Sequence, residues 1–207
     1  MINDKSNDVK EKTSPTNITR NNVNTQIAIK KILFSILLTV LIYILNFLIL
    51  PRFLPIMTII RLDIGISICI TLWSGITGIL SIFIIYFLLT YILFNNLTFT
   101  ITITTDLLIR NIIILLAFEK LNLKSDLSDA KSLTGILLFG VFIASLISTL
   151  ILLAIQTQLS IDILVLTNSI LKQIIIDGTM IATTTIPLLT FLTNNVRRTL
   201  EVKKVVL

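Results

Sequence analysis

Long apolar runs separated by short polar breaks dominate the chain from residue 32 onward. A helix needs about 20 mostly apolar residues to cross the hydrocarbon core of a bilayer, and six runs come close to that length. The six runs cover residues 32–50, 53–72, 76–94, 97–118, 132–155 and 173–192. The pattern predicts an all-α, polytopic integral membrane protein, built as a bundle of about six transmembrane helices.

The polar segments outside these runs divide the chain into three parts. Residues 1–31 are rich in Asn, Thr, Lys and Asp and lack a periodic apolar face, which predicts a disordered cytoplasmic tail. We expect a six-span bundle over residues 32–193 and a short basic cytoplasmic tail over residues 194–207. No cleavable signal peptide is expected, because the first apolar run starts only at Ile32. Residues 161–171 form either a short interfacial helix or an extension of the sixth span.

The number of spans depends on whether residues 64–94 form one helix or two. Lys and Arg near span ends favour the cytoplasmic side of the membrane. With a break at residues 73–75, the N-terminal tail, the 119–131 loop and the C-terminus share one side, with 13 basic residues against Arg52 alone on the other. We therefore expect six spans, a plasma-membrane location and both termini in the cytoplasm.

Composition narrows the function classes. Hydrophobic residues make up 55% of 207 positions, more than a soluble domain of this size can bury. The chain has no histidine and a single cysteine, Cys69, which excludes histidine acid–base chemistry, Cys/His metal sites and disulfides within it. No Gly-rich phosphate loop or GxSxG motif is present, and no aspartate has the YD or GxGD context of intramembrane aspartyl proteases. We expect no catalytic activity, no metal and no cofactor.

The net charge of +6 does not indicate nucleic-acid binding. The basic residues lie mainly at span ends, where membrane topology alone explains them. The lipid bilayer is therefore the partner that the sequence predicts directly.

Ionisable residues inside the spans are the candidate binding residues. Each costs at least about 2.5 kcal/mol in hydrocarbon and usually faces a partner charge or a water-filled cavity. Five of them fall in the predicted outer half of the membrane: Arg61, Asp63, Asp106, Lys172 and Asp177. They predict a polar ligand site open to the outside, with structural ion pairing and a proton path as alternatives.

Pairing of these charges can be argued from helical spacing. Asp106 and Arg110 are four residues apart and lie on one helix face, where they can neutralise each other. Asp63 points away from Arg61, because residues two apart on a helix face different directions. Arg61 and Asp177 are therefore expected to contribute to one polar site between the second and sixth spans.

Small residues predict close helix packing in two places. Gly140, Ala144 and Ser148 recur every four residues in the fifth span, a spacing that lets another helix approach closely. Gly75 and Gly78 are expected to let the third span start close to a neighbour.

Two stretches resemble a known transporter family. RLDIGISICITLWSGITGIL, residues 61–80, and TNSILKQIII before the last span resemble the substrate-binding subunit of energy-coupling factor vitamin transporters. The resemblance implies capture of a small molecule, such as a vitamin or metal precursor, for a shared membrane scaffold and ATPase module. The first span departs from that family, because it offers Ser35 and Thr39 where the family has an Ala-x-x-x-Ala docking surface.

A second resemblance is to the membrane-associated sensor domain of bacterial signalling proteins. It is carried by TDLLIRNIIILLAFEKLNLKSDLSDAKSL and DGTMIATTTIPLL. It implies a sensor with a signalling partner, although that family usually has eight spans and an output domain. This chain ends about fifteen residues after its last predicted span, so we expect no kinase or cyclase here.

The sequence thus predicts a membrane protein that binds a small molecule, with substrate capture or transport as its role. A stand-alone sensor is the first alternative. A structural or assembly subunit of a larger membrane complex is the second.

Overall fold

The computed structural model describes residues 15–49, 62–156 and 163–200. This part of the chain is helical and contains no strand, which confirms the all-α prediction. We number six helical runs in chain order, and three of them contain a π-helical segment. They are α1 (Pro15–Ile44, then π-helical Leu45–Ile49), α2 (Leu62–Ser74), α3 (Ile76–Phe94), α4 (Leu97–Lys120), α5 (Ala130–Gly135, π-helical Ile136–Ile143, Ala144–Gln156) and α6 (Ile163–Met180, π-helical Ile181–Thr185, Ile186–Leu200).

Five of these runs contain a stretch long and apolar enough to cross a membrane. The stretches are Thr25–Leu48, Ile76–Phe94, Leu97–Lys120, Ala130–Ile151 and Ile170–Leu200. Large apolar side chains point outward from them, with Leu37, Ile92 and Phe191 each more than 70% exposed, as expected for a surface that faces lipid. The multi-pass membrane class is therefore confirmed.

Helix α2 is the shorter apolar helix and lies at the centre of the bundle. It contacts α1, α3, α4 and α6, and ten of its 13 residues are buried. The predicted second span starts at residue 53, and residues 53–61 lie outside the described part of the chain.

A sharp turn at Gly75 separates α2 from α3, as the charge distribution predicted. Gly75 has φ +67°, a left-handed conformation that glycine adopts without strain. A Cβ atom at Gly75 would meet nothing within 4 Å, so this residue serves the turn and not the close packing expected of it. Gly78 provides the packing instead, because its Cβ position is 2.8 Å from the carbonyl oxygen of Ile70 on α2.

The N-terminal region differs from the prediction. Helix α1 begins at Pro15 and not near Ile32, which corrects the expectation of a disordered tail for residues 15–31, while residues 1–14 lie outside the described part. Proline is well tolerated in a first helical turn, and residues 16–44 contain no glycine or further proline. Once the apolar span is helical, extending the helix adds one hydrogen bond for each residue fixed.

The C-terminal helix is longer than predicted at both ends. It begins at Ile163, so the segment 161–171 extends the sixth span, apart from residues 161 and 162, which the structure does not describe. It continues to Leu200, so residues 194–200 are helical and not a tail. Buried Leu189, Thr193 and Leu200 hold this last part against the bundle.

Asp129, the last residue of the loop between α4 and α5, caps the N-terminus of α5. Its carboxylate accepts a hydrogen bond of 2.7 Å from the backbone N–H of Ser132, the usual arrangement at a helix N-terminus. Hydrogen bonding by Ser132, and then the charges of Lys124 and Lys131, lower the pKa of Asp129. The cap therefore persists at neutral pH and is lost only as pH falls through that lowered pKa.

Candidate functional site

A buried arginine joins two carboxylates from different helices. Asp106 and Arg110 lie one turn apart on α4, and the Arg110 Nε donates a hydrogen bond of 2.6 Å to Asp106 Oδ1. The Arg110 Nη1 donates to Asp177 Oδ2 on α6. The three side chains are at most 2% exposed, so this ion-pair network lies inside the bundle.

Polar side chains from α5 and α6 complete the network. The Ser145 hydroxyl contacts Asp177 Oδ2, and Ser148 donates a hydrogen bond to Asp106 Oδ1. Gln173, one turn before Asp177, donates a hydrogen bond of 2.9 Å to Asp177 Oδ1. We call these six residues the charged cluster: Asp106, Arg110, Ser145, Ser148, Gln173 and Asp177.

The small-residue stripe of α5 lies beside this cluster. Ala144 and Ser148 are fully buried, and the Cβ position of Gly140 is 3.0 Å from Ile181 Cδ1 on α6 and 3.5 Å from Ile114 Cδ1 on α4. Small residues allow backbones to approach, which here lets short serine side chains reach the carboxylates. Ser148, predicted only to pack, is therefore also a hydrogen-bond donor.

The charged cluster contains more negative than positive charge. Within these six described residues, and with every group ionised, two carboxylates face one guanidinium. A buried excess charge is costly unless a proton or another cation balances it. The cluster is thus chemically suited to take up a proton or a positively charged group.

The structure brings together only part of the predicted ligand site. Asp106 and Asp177 meet at Arg110, whereas Lys172 is exposed on α6. Asp63 is fully buried in the first turn of α2. Arg61, and with it the predicted Arg61–Asp177 site, lies outside the described residues.

One step of the pairing argument is wrong. Arg110 was assigned to Asp106 alone, which left Asp177 for Arg61, but the guanidinium contacts both carboxylates. An arginine side chain carries five N–H donors in a planar fork and can serve two acceptors. Sequence reasoning also missed Ser145 and Gln173, although the spacing of Gln173 and Asp177 offered a signal.

A second set of polar contacts fixes α2 in the bundle without any charge. Asn111 on α4 donates to the Ser67 hydroxyl at 3.2 Å and accepts from Thr71 at 2.9 Å. Thr185 of α6 donates to the carbonyl of Gly65 at 3.0 Å. These are neutral contacts between buried helices, and we assign them a structural role.

A cavity of about 660 Å³ opens at the end of the bundle where the Gly75 turn lies. We call it the end cavity. Its wall includes Lys31 of α1, Trp73 of α2, Glu119 of α4 and Arg197 of α6, together with the α4–α5 loop. Segments that the predicted topology places on the cytoplasmic side therefore meet around one space.

A search of protein-family models, curated proteins and solved structures finds no match to this chain. The resemblances to energy-coupling factor subunits and to the sensor domain remain predictions from short stretches of sequence. The charged cluster and the end cavity are the two features from which function can be argued.

Proposed function

We propose that this protein binds a small solute within its helical bundle and takes part in the capture or transport of that solute across the cell membrane. The observation that carries the proposal is the charged cluster, which joins α4, α5 and α6 through two carboxylates and one guanidinium at most 2% exposed. Ionisable residues within membrane spans commonly mark solute or ion pathways. The excess negative charge favours a solute that carries a positive charge or moves with a proton.

Each residue of the cluster has a role in this proposal. Asp106 and Asp177 would accept the cationic group or proton, while Arg110 holds the two carboxylates together. Ser145, Ser148 and Gln173 orient the carboxylate oxygens through their hydrogen bonds.

Irregular helix segments flank the cluster. The π-helical part of α5 ends at Ile143, two residues before Ser145, and that of α6 begins at Ile181, four residues after Asp177. π-Helical segments within α-helices are rare and occur frequently at functional sites. They give α5 and α6 places where helix geometry can change when a solute binds.

A structural role is the competing proposal, and one observation favours it. Arg110, Asp106 and Asp177 already have protein partners in the described structure, so the cluster can also serve to pin three helices together. A buried charge network that only holds helices would lose stability when broken, without any effect on a solute.

The solute proposal predicts that neutral carboxamides in the cluster abolish binding. In purified full-length protein screened by thermal unfolding against small amines, amino acids and water-soluble vitamins, we expect a stabilising compound. At 100 times its Kd, such a compound adds about 2.7 kcal/mol. Asp106→Asn and Asp177→Asn should each weaken its binding at least about tenfold, because each removes a charge that would face the cation.

The control is Asn111→Leu, which changes the neighbour of Arg110 and breaks neutral hydrogen bonds with Ser67 and Thr71 on α2 and with the Leu107 carbonyl within α4. It should lower the unfolding temperature while leaving the Kd of the compound within about twofold. Equal loss of binding in all three variants, or no stabilising compound that depends on Asp106 or Asp177, would favour the structural role.

We also propose that the protein lies in the plasma membrane with both termini in the cytoplasm. The support is that Lys31, Arg197 and the 119–131 loop lie around the same end of the bundle, and basic residues favour the cytoplasmic side. Reporter fusions should place residues 125 and 207 inside and residue 96 outside. An external residue 207 would contradict this orientation.

A further inference from the structure

We propose that the end cavity binds the phosphate group of an anionic ligand. Its volume of about 660 Å³ lies within the range of about 300–1,000 Å³ typical of small-molecule sites. The proposal concerns the end of the bundle and is independent of the charged cluster.

The charge on the cavity wall favours an anion. Lys31 and Arg197 reach the cavity from α1 and α6, and Glu119 is the acidic side chain among the described lining residues. Arg197 Nη2 donates a hydrogen bond of 2.7 Å to the Ser125 hydroxyl, which fixes the guanidinium at the wall. Arginine and lysine together provide the usual means of binding phosphate, one through its planar fork and one as a point charge.

Buried hydrogen bonds hold the wall in place. Trp73 Nε1 on α2 donates to the Thr193 hydroxyl on α6 at 2.9 Å, and Thr193 donates to the Ser125 carbonyl at 3.3 Å. These three residues are at most 7% exposed. The loop that positions Arg197 is therefore held by α6, and Thr193 in turn links α6 to α2.

The phosphate has two chemically equivalent sources. Basic pockets between transmembrane helices on the cytoplasmic side bind the headgroups of acidic phospholipids. A soluble phosphate compound presents the same oxygens. The structure indicates a site for a phosphate group, and the experiment below distinguishes a lipid headgroup from a soluble compound.

Each basic residue of the wall has an adjacent control in the chain. Lys31 lines the cavity and is half-buried, whereas Lys30 is exposed and lies outside the lining. Arg197 and Arg198 are both exposed, but Arg197 lines the cavity and Arg198 does not. Lys30→Gln and Arg198→Gln therefore remove the same net charge as Lys31→Gln and Arg197→Gln without changing the wall.

The test measures two probes with full-length protein. The first is ATP or inorganic phosphate, titrated against detergent-purified protein by calorimetry. The second is phosphatidic acid or phosphatidylglycerol, retained from mixed phosphatidylcholine nanodiscs and counted by native mass spectrometry. We expect Lys31→Gln and Arg197→Gln to weaken binding of one probe by about tenfold, the loss expected for one charge-assisted hydrogen bond, and the two controls to stay within about twofold.

The outcomes either support or overturn the proposal. Binding of ATP or phosphate that depends on Lys31 and Arg197 identifies a soluble ligand, and retained acidic lipid with the same dependence identifies a headgroup. Equal losses in the control variants would show general attraction to a basic surface and overturn it, as would the absence of binding of both probes. If Arg197→Gln unfolds, Lys31→Gln and its control Lys30→Gln decide. A loss of about tenfold confined to Lys31→Gln supports the proposal, and unchanged binding in Lys31→Gln overturns it.

Discussion

Replacement of Arg110 by leucine is expected to lower the free energy of unfolding by about 3–5 kcal/mol, because it leaves two buried carboxylates without their cation. Asp106 and Asp177 both contact this guanidinium and are at most 1% exposed, so water cannot easily take its place. Thermal unfolding in detergent at neutral pH measures the effect. Arg110→Lys should lower the free energy of unfolding by less, because lysine keeps the positive charge although it lacks the planar fork that serves two acceptors.

A triple variant separates the lost charge from lost packing. Arg110→Leu combined with Asp106→Asn and Asp177→Asn should recover most of the stability, because the penalty comes from uncompensated charge and not from the missing contact alone. Asn111→Leu is the neutral control and should cost about 1–3 kcal/mol through the unpaired groups that it leaves at Ser67 and Thr71. A triple variant as unstable as Arg110→Leu would mean that Arg110 stabilises the protein through packing.

The triple variant also tests the proposed function apart from stability. If the cluster binds a solute, the triple variant regains its fold but not solute binding. If the cluster is only structural, stability is the one property that changes. The two roles thus predict different results for the same protein.

The helices were predictable because apolar runs of span length have few alternatives in a bilayer. The turn between α2 and α3 was likewise predictable, since the distribution of basic residues along the chain favoured a break at residues 73–75. The start of α1 at Pro15 was not predictable from composition, because a polar segment of this kind resembles a disordered tail. The neighbouring apolar helix extends into the segment, and composition alone does not show this.

The pairing of Asp177 with Arg110 could not be derived from local spacing. The spacing assigned Arg110 to Asp106, its neighbour one helical turn away, and so left Asp177 for Arg61. Whether one guanidinium also reaches a carboxylate on another helix depends on how α4 and α6 pack together, and in the structure Arg110 contacts Asp177 as well as Asp106. A contact between two helices, which sequence spacing does not specify, therefore decided the partner of Asp177.

Contacts within one helix were easier to predict than contacts between helices. The Asp106–Arg110 pair follows from a spacing of four residues and is present at 2.6 Å. The contacts of Ser145 and Ser148 depend on how α5 rotates towards α4 and α6, which no local spacing specifies. The small-residue stripe marked the close approach but not the carboxylates on the other side.

Replacement of Gly78 by alanine is the second large effect, with an expected loss of about 1–3 kcal/mol from overpacking. The added Cβ would lie 2.8 Å from the Ile70 carbonyl oxygen and 3.1 Å from Ser74 Cβ. The nearest atom belongs to the backbone of α2, the most enclosed helix, and cannot turn away as a side chain can. Relief requires α3 to move away from α2, against the Gly75 turn that joins them. Thermal unfolding and resistance to proteolysis in detergent should both fall.

Gly178→Ala is the matched control, because it is the same substitution in the interior of α6. There the Cβ position is 3.4 Å from Val141 Cγ1, an ordinary contact with a side chain. Alanine favours a helix over glycine by up to about 1 kcal/mol, so this variant should keep or gain stability. Equal losses of stability in the two variants would mean that both glycines serve backbone flexibility. A loss confined to Gly78→Ala identifies the contact between α2 and α3 as the point where the bundle has no space for a methyl group.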